Sequence, residues 1–430
     1  MVVLLTGASG FIGEALLAGL LAAGHAVIAI GRRPPAGIVN GQYQGAALRF
    51  MRADLMRDLE PAVWRPRLAG VDAVINAAGI FTETSHSTFD AIHTRAPQAL
   101  FTAAAECGVR RIIQISALGV TGDLAPPFLR SKYCADDFLL ALRPDALVLR
   151  PSLVFDREGP SARLFMQLAA MPLIMVPGEG RQQVQPVHRG DLCCAVVNAL
   201  VSDDRGIIAA VGPEALQLRG YLSALRSLLG LQPAPVIPLP LALVRLGSRL
   251  PGIREFVSSD SLSMLAEGSY ADPAAFSRLL GAAPRPVSHF LEPTERRLAS
   301  LEARLCWLLP LLRYAIALVW FTAGIVSLGI YPVEQSLRLL AATGATGALA
   351  WLLLYGAAAF DLALGVATLT LWRRRWLWQL QIALIVFYTL VISIALPEFW
   401  AHPYGPIVKN LPMLAGILLL MELEGRRWNT

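Results

Sequence analysis

The chain has 430 residues, of which 55% are hydrophobic and 16% are charged, and its formal net charge is +6. This length predicts two or more domains, and the hydrophobic fraction excludes an all-soluble protein. The charge does not indicate a nucleic-acid partner, because the arginines are scattered or lie beside apolar runs, as at the cytoplasmic face of a membrane. The five cysteines show no metal-binding spacing, so we expect no metal site, and their odd number fits a reducing compartment.

A short strand at the start of the chain leads into a glycine-rich turn and then an apolar helix. The turn reads Thr6-Gly7-Ala8-Ser9-Gly10-Phe11-Ile12-Gly13. The free N–H groups and positive end of such a helix point at one spot, which suits a pyrophosphate. Gly7 permits the tight turn, Gly10 the approach of a phosphate, and Gly13 close packing of helix on strand. The spacing predicts a dinucleotide site, and the alternative is a glycine-rich turn in another α/β domain.

The end of the second predicted strand, Ala26–Ile30, indicates which dinucleotide binds. An NAD-specific site places a carboxylate there to accept from the ribose 2′-hydroxyl, whereas this chain has Arg32 and Arg33. Two guanidinium groups suit a 2′-phosphate, so we expect NADP(H) rather than NAD(H). Alternatively, both arginines are solvated loop residues.

Three more strands are predicted at Leu48–Leu55, Val71–Gly79 and Arg111–Ser116. Small residues end the second of these and leave room for the cofactor, and Ser116 reaches the same carboxyl edge. Strands that alternate with helical patterns in this way predict a Rossmann-like α/β fold with a doubly wound parallel sheet.

Together these motifs resemble an extended or atypical short-chain dehydrogenase/reductase, of the group related to the NADPH-binding accessory subunit of mitochondrial respiratory complex I. The resemblance also rests on Asp54-Leu55, Asn76-Ala77-Ala78-Gly79, Ser116-Ala117-Leu118-Gly119, Leu149–Phe155 and Pro186–Leu192. It covers residues 1–290, with a small substrate lobe at about 178–290. The cofactor-binding residues that it implies are Thr6, Gly7, Ser9, Gly10, Phe11, Ile12, Gly13, Arg32, Arg33, Asp54, Leu55, Ala77, Ala78, Gly79, Lys132 and Pro151.

The family's reaction uses a Tyr-x-x-x-Lys pair and a nearby serine, in which lysine holds the nicotinamide ribose and tyrosine passes a proton to the substrate. The corresponding run here is Phe128-Leu129-Arg130-Ser131-Lys132, so phenylalanine replaces the acid. Tyr133 is adjacent to Lys132 and should point elsewhere. The resemblance therefore implies Ser116 and Lys132 as the remaining catalytic-site residues, with Phe128 at the tyrosine position.

The lobe contains no assignable cluster of acids, bases or metal ligands. We expect a loop at Val184–His188, a helix that begins with the capping run His188-Arg189-Gly190-Asp191 and continues through Leu200, and another helix at Leu216–Gly230. The apolar stripe Pro233–Arg254 fits a membrane surface and a buried lobe helix equally well.

The composition changes after a charged connector at residues 291–305, and residues 306–430 are expected to form an all-α membrane domain with four transmembrane helices. The apolar runs are Leu308–Ile330, Gly347–Leu371, Trp376–Leu396 and the shorter Ile407–Met421. This half is similar to the DoxX-like membrane family, a four-helix unit.

The positive charges predict the topology. Arg296, Arg297, Arg304 and Arg313 stand at the beginning of the first run, Arg373-Arg374-Arg375 joins the second to the third, and Arg426-Arg427 follows the fourth. The positive-inside rule then predicts cytoplasmic N- and C-termini in a bacterial-type inner membrane, in agreement with a first strand that no signal peptide precedes.

Asp361 lies in the middle of its predicted span, where a carboxyl group is costly. We expect it to face the bundle, with Glu398, His402, Lys409 and Tyr388 as possible members of an outer polar cluster. The alternative is a structural hydrogen-bond network between helices.

We therefore expect a membrane-anchored, NAD(P)(H)-binding oxidoreductase for a lipophilic substrate such as a quinone. The alternative is a non-catalytic assembly or redox-sensing protein of a partner membrane complex, which Phe128 favours. An epimerase or dehydratase is a third class, and the missing tyrosine disfavours it.

Overall fold

The computed structural model describes residues 1–36, 47–119, 126–247, 268–403 and 405–424. The chain divides into two compact units, Met1–Ala303 (unit 1) and Arg304–Thr430 (unit 2).

The described residues of unit 1 form thirteen strands and a series of helices. The strands are β1 (Val2–Thr6), β2 (Ala26–Gly31), β3 (Leu48–Arg52), β4 (Ala73–Asn76), β5 (Arg111–Ile115), β6 (Leu147–Pro151), β7 (Val154–Phe155), β8 (Ile174–Pro177), β9 (Gln183–Val184), β10 (Val187–His188), β11 (Gly206–Ala210), β12 (Leu216–Gln217) and β13 (Val236–Leu239). The helices are α1 (Phe11–Ala22), α2 (Pro61–Trp64), α3 (Ala96–Glu106), α4 (Pro127–Leu142), α5 (Pro160–Ala170), α6 (Arg189–Ala199), α7 (Leu218–Leu228), α8 (Leu241–Gly247), α9 (Ala274–Leu280) and the start of α10 (Pro293–Ile325).

Seven of the strands form one parallel sheet in the order β11-β6-β5-β4-β1-β2-β3. Its central strands are almost fully buried, since helices cover both faces. Leu16 and Leu192 belong to the core on one face, and Leu100 and Leu139 to the core on the other. The doubly wound parallel sheet is thus confirmed. The strand order reverses between β1 and β4, and this switch point opens a crevice at the carboxyl ends of the strands.

Backbone contacts fix the glycine-rich turn between β1 and α1. Gly7 has φ +69°, and a Cβ on it would lie 2.7 Å from the carbonyl carbon of Ala77. A Cβ on Gly13 would lie only 1.9 Å from the Gly7 oxygen. Gly13 thus lets α1 pack against the turn itself, whereas the sequence analysis predicts that it packs against the strand.

Three strands are shorter than predicted, and one of them, β5, ends at Ile115 rather than at Ser116. β3 ends at Arg52 because Asp54 starts a turn, in which its carboxylate accepts from the Met56 N–H at 3.1 Å and its own N–H donates to Asp58 at 3.0 Å. β4 ends at Asn76, so Ala77-Ala78-Gly79 lies beyond the strand.

The lobe differs from the prediction in its short strands. Val184–His188 is not only loop, because β9 pairs with β12 and β10 pairs with β7. His188 caps α6 as expected, since its Nδ1 accepts from the Gly190 N–H at 3.1 Å. The stripe Pro233–Arg254 contains β13, which pairs with β8, followed by α8 with an exposed Leu243; its remainder, from residue 248, lies outside the described residues.

Unit 2 is helical. Its helices are the remainder of α10, then α11 (Val333–Ala342), α12 (Gly347–Thr370), α13 (Arg375–Ala395) and α14 (Asn410–Leu423). The predicted connector is largely helical, because α10 begins at Pro293. The sequence analysis did not predict α11. Side chains of α10, α12, α13 and α14 share one apolar core.

Three helices of the described chain, within Pro293–Ile330, Gly347–Thr370 and Arg375–Ala395, are long and apolar enough to cross a membrane. α14 has 14 residues and is therefore about 21 Å long, shorter than a bilayer core of about 30 Å. The fourth crossing stays a prediction.

Arg313, one of the positive charges on which the topology prediction rests, is buried in unit 2. Its guanidinium is fully buried, donates from Nε to Glu424 at 2.8 Å, and lies 4.4 Å from the Trp372 ring centroid. It also donates to the carbonyl of Thr368, whose hydroxyl accepts from Gln381 at 2.9 Å. Arg313 therefore holds helices of the bundle together, and Arg426-Arg427 lies outside the described residues.

We predict that Gly13→Ala destabilises unit 1 by about 2 kcal/mol or more, because its methyl group meets backbone that cannot move aside. Thermal unfolding of the full-length protein in detergent measures this change. Gly19→Ala is the matched control in the same helix, since its nearest contact is an ordinary 3.7 Å to Val197. It should be neutral or slightly stabilising, by up to about 1 kcal/mol. Equal losses from both substitutions would contradict the packing argument.

Candidate functional site

The candidate site lies at the carboxyl edge of the sheet, where a buried hydrogen-bond chain connects three strands. The Thr6 hydroxyl on β1 donates to the Asn76 side chain on β4, and the Asn76 amide donates to Gln114 on β5 at 2.6 Å. All three side chains are buried. The Thr6 side chain is thus committed to the sheet, and any cofactor contact by this residue falls to its backbone.

The glycine-rich turn fits the phosphates of a dinucleotide. Ser9 and Gly10 are exposed at the start of α1, and the Gly10 N–H closes the turn onto the Gly7 oxygen at 2.9 Å. A Cβ on Gly10 would lie 3.2 Å from that oxygen, and because glycine has no Cβ, this space stays unoccupied by a side chain. The free N–H groups at the amino end of α1 can then bind negative charge.

Arg32 and Arg33 stand next to this turn, just after β2. Both are exposed, and neither guanidinium contacts a partner within the described ranges. A Cβ on Gly31 would lie 3.5 Å from the Arg33 oxygen and 3.9 Å from Ser9 Oγ, so the end of β2 adjoins the turn. Within the described ranges, the end of β2 therefore presents two exposed, unpartnered cations beside the glycine-rich turn.

The other predicted cofactor residues surround the same edge. Asp54 and Leu55 are half-buried after β3, and the Asp54 carboxylate caps its own turn. Ala77 and Ala78 touch the backbone of Gly7, and Pro151 ends β6 and accepts from the Leu118 N–H at 2.8 Å.

Phe11 and Ile12 are half-buried at the first turn of α1. The Arg189 guanidinium lies 4.8 Å from the Phe11 ring centroid and donates to the Phe11 oxygen at 3.1 Å, and it pairs with Asp156 at 2.8 Å. A Cβ on Gly159 would lie 2.8 Å from the Phe11 ring, so that ring is enclosed on this side.

Lys132 lies on α4 with its ammonium group at the centre of the site. The side chain is buried, and Nζ donates to the Ile115 oxygen at 3.3 Å. A Cβ on Gly79 would lie 3.4 Å from Nζ, so Gly79 keeps the space beside the amine open. Burial lowers the pKa of Lys132 to about 8, and the nearby Asp136 charge opposes this shift.

Ser116 follows β5 and faces a carboxylate. Its hydroxyl donates to Asp136 Oδ2 at 2.7 Å, and the same oxygen accepts from Arg150 Nε at 3.0 Å. Asp136 is fully buried one helical turn after Lys132, and burial raises its pKa against the opposing effects of Ser116, Arg150 and Lys132. The structure thus brings Ser116 and Lys132 together through a residue that the sequence analysis missed.

Phe128 belongs to an aromatic cluster at the position where the family has tyrosine. It is buried, stacks on Phe81 at a centroid distance of 5.4 Å, and packs against Phe89 at 5.8 Å. Lys132 Nζ lies 5.9 Å from the Phe128 ring centroid. Phe81, in contrast, is 86% exposed. The site therefore presents an apolar aromatic surface beside the lysine and no hydroxyl at this position.

His93 is adjacent to this cluster and does not supply the missing acid. Its Nε2 accepts from the Ile80 N–H at 2.9 Å, so Nδ1 carries the proton and donates to Ser131 Oγ at 2.9 Å. Burial lowers the pKa of His93 to about 3, and the Lys132 charge adds to the effect. His93 therefore stays neutral and fixes the position of α4.

One signal in the sequence points to Asp136, and none points to His93. Lys132 and Asp136 are four residues apart, a spacing that places oppositely charged side chains on one helix face. His93 lies in a π-helical turn at Asp90–Arg95, which no composition pattern reveals.

Comparisons with known proteins found a matching family for each half of the chain. Residues 3–212 match the NAD dependent epimerase/dehydratase family, and residues 317–418 match the DoxX-like family. The chain is 29% identical over 213 residues to "NADH dehydrogenase [ubiquinone] 1 alpha subcomplex subunit 9, mitochondrial" of Arabidopsis thaliana, which covers 46% of this chain and 49% of that protein. It is 26% identical over 199 residues to a ceramide reductase of Caulobacter vibrioides, which covers 46% and 60%.

The fold is also that of a solved structure, the UDP-glucuronic acid 4-epimerase of Bacillus cereus in complex with UDP-glucuronic acid and NAD. The TM-score is 0.52 with 20% identity, over 71% of this chain and 100% of that one. The chain spans only about half the length of the mitochondrial relative that it matches.

The fold and the family matches together indicate a Rossmann-like domain that is similar to NAD dependent epimerases/dehydratases, followed by an apolar helical unit. Residues 3–212 are thus similar to the epimerase/dehydratase family and residues 317–418 to the DoxX-like family.

We predict that dinucleotide affinity falls as the pH rises from 7 to 9.5, because Lys132 loses its proton with a pKa of about 8. Fluorescence titration of the full-length protein with NADPH and NADH across this range measures the change. Lys132→Met should bind more weakly at pH 7 and show no such decline. A parallel decline in that variant would assign the pH dependence to another group.

Proposed function

We propose that this chain is a membrane-anchored, NADPH-dependent oxidoreductase that reduces a lipophilic acceptor such as a quinone. The main support is the Phe128 and Phe81 pair, which presents an apolar aromatic surface beside Lys132 where a proton donor would otherwise stand. A substrate whose oxygen must receive a proton from an enzyme side chain at this position fits the site poorly. A planar, conjugated acceptor fits well, because the charge that develops on it is delocalised and its oxygens can take protons from water.

The preference for NADPH is part of the proposal. Arg32 and Arg33 support it, as does the lack of a carboxylate at the end of β2. The proposed cofactor residues are those that the sequence resemblance implies, with Ser116 and Lys132 at the nicotinamide end.

When bound, a reduced nicotinamide supplies a hydride, so a quinone gains two electrons and one proton from it and takes its second proton from water. The chain's own residues bind and orient. Lys132 provides a buried donor beside Gly79, Ser116 is held by Asp136, and Phe81 offers its exposed face to the acceptor ring.

Attachment to the membrane unit explains why we propose a lipophilic substrate. A cofactor domain that is attached to membrane-crossing helices meets molecules that are dissolved in the bilayer at high local concentration. The ceramide reductase among the relatives is named for a lipid substrate, which is consistent with this proposal. We place the protein in a bacterial-type inner membrane with both termini cytoplasmic, and we propose the boundaries 1–290, 291–305 and 306–430.

A second candidate is a non-catalytic NADPH-binding protein that stabilises or reports on a partner membrane complex. The same substitution, Phe128 for tyrosine, favours it, and so does the match to a protein named as a subunit of NADH dehydrogenase. In this case the bound dinucleotide stabilises unit 1 without turnover.

We predict that Arg32→Glu combined with Arg33→Glu weakens NADPH binding by about tenfold or more and leaves NADH binding nearly unchanged, because the charge-assisted bonds to the 2′-phosphate are lost. Calorimetric titration of both cofactors measures this difference. Arg49→Glu is the matched control, since Arg49 lies towards the amino end of β3, away from the site. Equal effects on NADPH and NADH would contradict a 2′-phosphate contact.

We predict that the purified protein oxidises NADPH with a short-chain quinone and that Phe81→Ala slows the reaction about fivefold through loss of ring stacking. Stopped-flow absorbance at the NADPH band measures the rate. Val201→Ala, at a similarly exposed apolar position, should have no effect.

Phe128→Tyr distinguishes the two candidate functions. In an oxidoreductase that takes its second proton from water, it should leave quinone reduction nearly unchanged. If the unaltered protein turns over no quinone and Phe128→Tyr creates carbonyl reduction, the site is intact but inactive, and the non-catalytic function is favoured. If the unaltered protein and its variants bind NADPH tightly but none of them oxidises it, the oxidoreductase proposal is also contradicted.

A further inference from the structure

Among the residues that the structure describes, Asp136 is the one fully buried carboxylate that contacts a candidate catalytic residue. Its Oδ2 atom accepts from Ser116 Oγ at 2.7 Å and from Arg150 Nε at 3.0 Å, and its side chain is 1% exposed. It therefore joins the end of β5, the end of β6 and the middle of α4 at a single atom.

The second oxygen of this carboxylate has an unusual environment. Oδ1 is buried and has no hydrogen-bond partner within the described chain. A buried charge with an unsatisfied oxygen is costly, and replacing such a pair by apolar side chains is often neutral or stabilising. Stability of the fold alone thus gives a weak reason for a carboxylate here.

The hydrogen bond from Ser116 determines what that serine can do. A hydroxyl has one proton, and Ser116 donates it to Asp136, so its oxygen presents only lone pairs to the site. The Ser116 oxygen is fixed as an acceptor for a ligand N–H or O–H group.

The charge of Asp136 also acts on Lys132, one turn earlier on the same helix. Lys132 is buried beside neutral His93 from the π-helical turn, and Arg150 from β6 pairs with the Asp136 carboxylate. Asp136 is thus the negative charge that favours the ammonium form of Lys132 in this environment.

We propose that Asp136 is the positioning residue for the nicotinamide half of the cofactor: it orients Ser116 as a hydrogen-bond acceptor and keeps Lys132 charged as a donor. This inference rests on the proposed cofactor site. It assigns no role to Asp136 in binding the adenosine half, which the glycine-rich turn and Arg32 and Arg33 would hold.

The division between the two halves of the cofactor provides the test. NADPH carries both halves, whereas 2′,5′-ADP carries only the adenosine half. Asp136→Asn should weaken NADPH binding by about tenfold while changing 2′,5′-ADP binding less than about twofold, since one charge-assisted bond network is lost at one end of the site. Calorimetric titration of the full-length protein in detergent at pH 7 measures both affinities.

Asp137→Asn is the matched control, because it removes the same charge from the next, exposed position of α4. Both affinities should stay unchanged in that variant. Thermal unfolding identifies any variant that is not folded. If Asp136→Asn does not fold, Ser116→Ala provides the second measurement, since it leaves the Asp136 and Arg150 pair intact and should show the same selective loss.

A double variant tests whether Asp136 acts through Ser116. Asp136→Asn together with Ser116→Ala should lose less NADPH affinity than the two single losses added in free energy, because the two residues share one bond. Equal losses of NADPH and 2′,5′-ADP affinity in Asp136→Asn would overturn the proposal and leave a structural role. An unaltered protein that binds neither ligand would contradict the cofactor site itself, so the two failures are distinguishable.

Discussion

The structure of unit 1 depends on the close approach of three backbone segments around the glycine-rich turn that follows β1. The turn after β1 contacts the segment after β4 through Gly7, and α1 contacts the same turn through Gly13. Neither position has room for a Cβ. These contacts place the amino end of α1 at the switch point of the sheet, where a ligand with phosphates can meet free N–H groups.

Buried polar groups complete this edge without a proton donor at the usual position. Thr6, Asn76 and Gln114 satisfy one another inside the sheet, His93 is fixed in its neutral form, and Ser116 directs its proton to Asp136. Phe128 turns the remaining wall into an aromatic surface. This edge of the sheet thus combines a buried amine, Lys132, and a buried carboxyl group, Asp136, with an aromatic surface.

In unit 2 the constraint is the pairing of buried polar side chains, because polar groups in a membrane have few partners. Arg313 meets Glu424, the Thr368 carbonyl and two tryptophan rings, which satisfies a full charge inside the helical core. Asp361 is almost fully buried as the sequence predicts, but one of its oxygens has no partner in the described part of the chain. The Asn410 amide donates to the Thr389 hydroxyl, and the Trp400 ring N–H donates to the Ser393 hydroxyl. Within the described residues, no hydrogen bond or ion pair joins Lys409 or Glu398 to Asp361.

The sequence by itself determined the parallel sheet, the glycine-rich turn, the missing tyrosine and the apolar membrane half. These features depend on local spacing and composition, which the order of residues carries directly. It did not determine the end of β3, the helix α11, the burial of Arg313 or the roles of Asp136 and His93. Those depend on which distant side chains meet. Only the tertiary structure decided that a carboxylate on α4 meets a serine after β5 and an arginine on β6, because hydrogen bonds and desolvation act across contacts that no periodicity in the sequence encodes.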